Sequence, residues 1–234
     1  MENTIYIGLS RQIALRQSMN TLANNIANMN TPGFKGQQMM FSEYIDRPDK
    51  KVQEPLSLVM DRAQFRVTEQ GPLRFTGGTY DVALEGRGYF GIRGLGDEVM
   101  YTRAGNFTLD ADGQMVTASG HFVLGAGGQP INIPAEENNI TIDKAGNIYG
   151  AGGQIDQLMV MEFDNDQDLT ATGFGLLKTD QVGQQAESTT VIQGSLEGSN
   201  VKGVQEMTHM IDVLRSYQSV QRMLQGEHDR LRSM

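Results

Sequence analysis

The chain contains no cysteine. That excludes disulfides, thiolate metal sites and a cysteine nucleophile. Only three histidines occur, His121, His209 and His228, which leaves little for a histidine metal centre. Aromatic residues make up 7% of the chain while glycines number 28, so the core should be thin and rich in turns, which favours β-structure. No apolar run approaches the roughly 20 residues of a membrane span, and no membrane insertion is expected. The opening MENTIYIGLSRQIALRQ lacks a basic stretch followed by a continuous apolar one, so it does not read as a cleavable signal peptide. Composition alone would place the chain in the cytoplasm and leaves open an export route that cleaves nothing.

Positive charge is outnumbered in the middle. Of the net −9, residues 1–35 contribute +2 (Arg11, Arg16 and Lys35 against Glu2) and residues 201–234 contribute +1, so the segment between them carries −12. An acidic body of this kind argues against binding nucleic acid.

What is present is periodicity at both ends. Ile5, Gly8, Gln12, Leu15, Met19, Leu22, Ile26 and Met29 follow a 3-4 heptad spacing, which predicts a helix from about Thr4 to about Asn28. Met210, Val213, Tyr217, Val220, Leu224 and Leu231 form a second seam, widened by Ile211 and Leu214, with Ser199 or Asn200 as the expected cap of that helix. A lone amphipathic helix cannot bury its own stripe, so the two helices are expected to pair and to pack against further copies of the chain.

Between the helices the pattern changes to short alternating runs. Expected strands are Leu56–Met60, Gln64–Thr68, Tyr80–Leu84, Tyr89–Arg93, Val99–Arg103, Asn106–Leu109, Gln114–Thr117, Phe122–Leu124, Ile140–Asp143, Asn147–Ile148 and Gln157–Phe163, separated by Gly or Asp/Asn turns. LDADGQMVTASG and IDKAGNIYGAGG echo each other and read as two hairpin units. The fold class is therefore mainly β with terminal α-helices: a discontinuous helical coiled-coil domain from both ends, plus a central β-domain. The expected segments are residues 1–35, an extended or β connector over 36–80, the β-domain over 81–185, and a return segment with the second helix over 186–234.

No arrangement suited to catalysis stands out. DADG (110–113) lacks the later ligands of a calcium loop and reads as a β-turn. GRG (86–88) and GAGG (150–153) lack both the lysine of a phosphate loop and its strand-to-helix setting. The expectation is a non-enzyme with no cofactor, no metal and no small-molecule substrate.

The sharpest local signal is ANNIANMNTPGFK, residues 23–35. Asn24, Asn25, Asn28 and Asn30 crowd the helix end. The first three lie off the apolar seam, available to hydrogen-bond neighbouring backbone or subunits. Thr31, Pro32 and Gly33 then stop the helix, and Phe34 is a candidate anchor for the turn. This stretch resembles the N-terminal signature of the axial proteins of the bacterial flagellum, the rod, hook and hook-associated subunits. DVALEGRGYF, YTRAGNFTLDADGQMVTASGHFVLG and GSLEGSNV with the final helix resemble that family's later motifs, in order and across nearly the whole chain. Within the family, IYIGLSRQ and the modest length look like proximal-rod subunits, with distal-rod subunits the alternative. Val201-Lys202-Gly203 departs from relatives, which tend to carry an acidic residue or proline there.

The resemblance implies a structural subunit of the basal-body rod, with copies of itself and other rod proteins as partners. It also implies passage through the flagellar type III export apparatus without a cleaved signal and assembly in the periplasm. The terminal helices would form an inner tube and the β-domain its outside. Two other readings remain at this point: a β-domain polysaccharide-binding module and a coiled-coil adaptor.

Overall fold

A computed structural model describes residues 2–46, 56–94, 96, 98–137 and 139–232; the side chains of residues 2–5, 41–46, 56–62 and 231 lie outside that description. The chain is mainly β with one long helix at either end, and it divides into two compact units.

The first unit combines residues 1–29, 36–67 and 201–234. Helix α1 (Glu2–Ala27) and helix α2 (Gly203–Arg232) pack side by side. They run antiparallel. A Cβ at Gly8 would sit 2.7 Å from Leu224 Cδ2, and one at Gly203 would sit 2.6 Å from Met29 Sδ. The missing side chains let the helices approach at both ends. The α1 backbone ends where Asn28 N reaches the carbonyls of Asn24 and Asn25, three residues before Thr31-Pro32 would block a further turn. Against α1 lies an antiparallel hairpin, Gln37–Asp46 with Leu56–Arg66, whose register slips at Met40/Phe41. Within the expected connector, Leu56–Met60 and Gln64–Arg66 belong to one strand, which ends before Thr68, and its partner is Gln37–Asp46.

The second unit comprises residues 30–35 and 68–200. Its largest sheet is antiparallel and runs in the order Thr170–Gly173, Leu176–Lys178, Val99–Thr102, Tyr89–Arg93, Phe122–Val123, Met115–Thr117, Phe107–Leu109. Val160–Glu162 joins this sheet at Tyr89–Phe90. Smaller sheets pair Thr190–Gln193 with Val82–Glu85 and Ser195–Glu197 with Leu73–Phe75. A further three strands pair over residues 141–157. Alternation places Val82, Leu84, Phe90, Ile92, Val123, Ile131 and Ile148 in a dry core, with the Phe90 and Phe107 rings edge to face at 5.1 Å.

The two echoing stretches fold alike. Asp110 Oδ1 accepts from Asp112 N and Gln114 N, and Asp143 Oδ1 accepts from Ala145 N and Asn147 N. Each turn closes at a glycine with positive φ, Gly113 and Gly146. DADG is therefore an Asx turn between strands, its carboxylate spent on backbone N–H groups.

Candidate assembly surface

Most of the α1 seam faces inward. Leu15, Met19, Leu22 and Ile26 are half-buried, as are Met210, Val213, Tyr217 and Leu224 on α2, while Val220 is buried. Ile5 and Leu231 carry side chains outside the described set. What stays exposed lies off this seam or at its edge. On α1 it is Tyr6, Ile7, Leu9 and Ile13, at the end beside Leu224, where Met223 of α2 is also exposed; the other exposed α2 residues, Val204, Met207, Ile211 and Leu214, lie toward the end beside Met29. Val204, Met207, Ile211 and Leu214 repeat at 3-4-3, a second heptad register that the sequence carries and that the dominant seam hides. Tyr6, Leu9 and Ile13 do the same on α1.

The asparagines divide by role. Asn25 is 2% exposed. Its Nδ2 donates to Gln37 O at 2.8 Å and to Glu206 Oε2 at 3.1 Å, and its Oδ1 accepts from Gln37 N at 2.9 Å. One amide thus ties α1 to the first residue of the hairpin and to the first turn of α2. Asn28 Nδ2 folds back onto Asn24 O, within the helix end. Asn24 and Asn30 are exposed, and Met29 is at the margin of exposure.

The rest of the signature lies in the second unit. Thr31, Pro32, Gly33 and Phe34 are half-buried there. Gly33 has φ +69°, and a Cβ on it would lie 2.4 Å from Ala104 N, so glycine is needed both for conformation and for space. Gly33 N donates to Glu197 O, and Phe34 O accepts from Asn200 N. Lys35 follows with a side chain 4% exposed, its Nζ 2.6 Å from Glu197 Oε1 and 2.7 Å from Glu69 O. Glu197 Oε2 accepts from Arg103 Nε at 2.9 Å, and Oε1 also accepts from Gly71 N. Arg103 extends to the carbonyls of Gly88 and Gly86, with its guanidinium 5.7 Å from the centre of the Tyr89 ring.

Burial pushes the Lys35 ammonium below the usual lysine range, while the neighbouring Glu197 carboxylate pulls the other way. The cluster joins TPGFK, EGRGYF, YTRAG and GSLEG, blocks drawn from the start, the middle and the last fifth of the chain. Periodicity gave no hint that Lys35, Arg103 and Glu197 meet. Their only sequence signal is that each stands inside one of the quoted motifs.

One expectation is corrected. Helix α2 begins at Gly203, and the Lys202 carbonyl accepts from Gln205 N and Glu206 N, so Ser199 and Asn200 stand outside its first turn. Each is engaged elsewhere. Ser199 is buried, and Asn200 Nδ2 donates to Glu69 O. Gly203 at the helix start leaves room for Met29, which explains a start later than the nearest capping residues.

Among the described residues no group of His, Cys, Asp and Glu could hold a metal ion, and no helix is long and apolar enough to cross a membrane.

Three family models match the chain: "Flagella basal body rod protein" over residues 5–35, "Flagellar hook protein FlgE/F/G D1 domain" over 83–150, and "Flagellar basal body rod FlgEFG protein C-terminal" over 192–234. The flagellar basal-body rod protein FlgF of Caulobacter vibrioides is 36% identical, covering 100% of this chain and 96% of that protein. FlgF of Rhizobium meliloti is 34% identical over 99% of this chain and 95% of its own length. The flagellar basal-body rod protein FlgG of Agrobacterium fabrum is 30% identical over 88% and 87%. With relatives of this similarity aligned end to end, the chain belongs to the flagellar basal-body rod protein family, on the FlgF side of it.

Proposed function

We propose that this chain is a structural subunit that polymerises with copies of itself and with other rod proteins into the hollow shaft transmitting torque for motility. The observation that carries the reading is the placement of apolar surface on the helical unit. Tyr6, Leu9 and Ile13 are exposed at one end of the antiparallel pair, and Val204, Met207, Ile211 and Leu214 at the other. Patches at opposite ends allow head-to-tail contacts between copies, which propagate. The 3-4 spacing of both stripes suits coiled-coil-like packing between subunits, and the family resemblance implies that the terminal helices form the inner tube. The interface comprises these residues together with the seam residues that stay half-buried in the lone chain.

Export through the flagellar type III apparatus without a cleaved signal and residence in the periplasm fit the same reading. The test is complementation of a strain lacking the endogenous subunit with Ile211→Asp/Leu214→Asp. The variant chain should fold and be exported but be absent from purified basal bodies, and the cells should not swim. Normal incorporation would sink the proposal.

A further inference from the structure

The backbone passes between the two units at four places, after residues 29, 35, 67 and 200. Within the second unit, the segments next to those crossings are bonded to one another, and Glu197 makes most of the links. Its carbonyl holds Gly33 N at 2.8 Å. Its carboxylate holds Lys35 Nζ and Gly71 N on one oxygen and Arg103 Nε on the other. Gly198 N to Pro72 O, Asn200 N to Phe34 O and Asn200 Nδ2 to Glu69 O complete the set. Backbone approach is so close at Gly71 that a Cβ there would lie 1.9 Å from Gly198 O. Arg103 then fastens the assembly to the carbonyls of Gly86 and Gly88, at the edge of the apolar core.

A fully buried carboxylate between two cations is a poor way to gain stability alone, because desolvation offsets much of the attraction. Beyond the short pairing of Ser195–Glu197 with Leu73–Phe75, it supplies directional linkage to the Lys35 and Arg103 segments, which share no sheet with Glu197. We propose that Glu197 is a clamp that closes the β-unit on its own chain crossings, with Lys35 and Arg103 as its two arms. Force entering along the terminal segments then meets a buried charge network and not loop backbone. The force role rests on the rod reading above; the clamp itself does not.

Amide hydrogen exchange on the full chain separates a clamp from an ordinary core group. Lys35→Met removes one arm and leaves the Glu197–Arg103 pair balanced, so the β-unit still folds. The amides of Gly33, Gly71 and Asn200 should exchange roughly tenfold faster or more, while those of Leu124 and Met115, in the core strands, keep their protection. Equal acceleration at both sets, or none at either, overturns the clamp. Glu197→Gln should act in the same direction and more strongly; if it does not fold, Lys35→Met decides. In cells, Lys35→Met should still enter basal bodies and should lose swimming speed disproportionately in viscous medium. Local loosening with no loss under load overturns the force role. Absence of even the wild-type chain from basal bodies overturns the rod reading and leaves the clamp standing on the exchange result.

Discussion

Asn25 and Gln37 exchange two hydrogen bonds, Nδ2 to the carbonyl at 2.8 Å and the backbone N–H to Oδ1 at 2.9 Å, so the side-chain amide pairs with the hairpin's first residue as a neighbouring strand would. The same Nδ2 reaches Glu206 on α2. Replacing Asn25 by Leu keeps the bulk and removes every bond, leaving the polar groups of Gln37 without their protein partner. The expected cost is about 1–3 kcal/mol in urea unfolding of the helical unit. Asn25→Asp should cost at least as much, because it cannot donate to Gln37 O and sets a second carboxylate beside Glu206. A loss below a few tenths of a kcal/mol for either would contradict the pairing.

Gly33→Ala should be far more damaging than Gly120→Ala. Both glycines have positive φ, +69° and +81°, so both substitutions incur roughly 1–2 kcal/mol of left-handed strain. At Gly120 the new methyl meets nothing within 4 Å, whereas at Gly33 it runs into the backbone of Arg103 and Ala104 at 2.4 Å. Backbone cannot rotate aside, and Gly33 N must also keep its bond to Glu197 O. Thermal unfolding of the two variants, side by side, should show the larger loss at position 33; equal losses would mean that the segment relaxes away.

These two residues show how much was legible beforehand. Helix α1, the Pro-Gly stop and strands such as Tyr89–Arg93 follow from local rules: heptad spacing, the steric effect of proline, and alternation bounded by glycine. Gln37–Asp46 was missed because QQMMFSEYID has neither clean alternation nor β-branched enrichment. Thr170–Gly173 and Leu176–Lys178 were missed because glycines interrupt TATGFGLLK. Asn25 was noticed as one amide among several, but its burial against Gln37 and Glu206 is a tertiary fact. Lys35 and Glu197 are 162 residues apart in sequence, and no local rule anticipates two buried charges finding each other.

The alkaline response of the fold should carry the signature of Lys35. Burial lowers its affinity for the proton in the folded state, against the attraction of Glu197 and Asp166 and with the repulsion of Arg103. Between that lowered value and the ordinary 10.5, the unfolded chain binds more protons than the folded one, so the Lys35 contribution to stability rises as pH climbs through the window. Wild type minus Lys35→Met, measured by urea unfolding at several pH values up to 10.5, should therefore shift in favour of wild type with rising pH. A shift in the opposite direction would show that attraction to Glu197 outweighs burial.

Asp143 should give an effect of the same sign in acid. The side-chain amide of Asn147, with backbone N–H groups of Asn147 and Ala145, holds its carboxyl below the usual 3.8. The folded state then binds fewer protons near that value. The stabilisation is present above 3.8 and disappears as pH falls through the folded value. Asp143→Asn retains an acceptor for the turn but loses this charge-dependent part. The gap between wild type and variant, by urea unfolding, should be open at pH 7 and should shrink as the pH falls below 3.8. A gap that persists in strong acid would assign it to turn geometry instead of charge.

Val220 and Ile13 should separate the stability of the lone chain from assembly. Val220 is 5% exposed in the α1–α2 pair, so Val220→Ala removes buried methyl groups and should cost about 1–3 kcal/mol in the monomer. Ile13 is 57% exposed and touches little that could be lost, so Ile13→Ser should change monomer stability by no more than about 0.5 kcal/mol. If Tyr6, Leu9 and Ile13 meet the next subunit, the ranking reverses on assembly. Ile13→Ser should lower the yield of the chain in purified basal bodies, while Val220→Ala, once folded, still incorporates. Both quantities come from one pair of variants, by chemical unfolding of the purified monomer and quantitative immunoblotting of basal bodies. An Ile13→Ser chain that incorporates at the wild-type level would remove the N-terminal stripe from the interface and leave the α2 stripe to act alone.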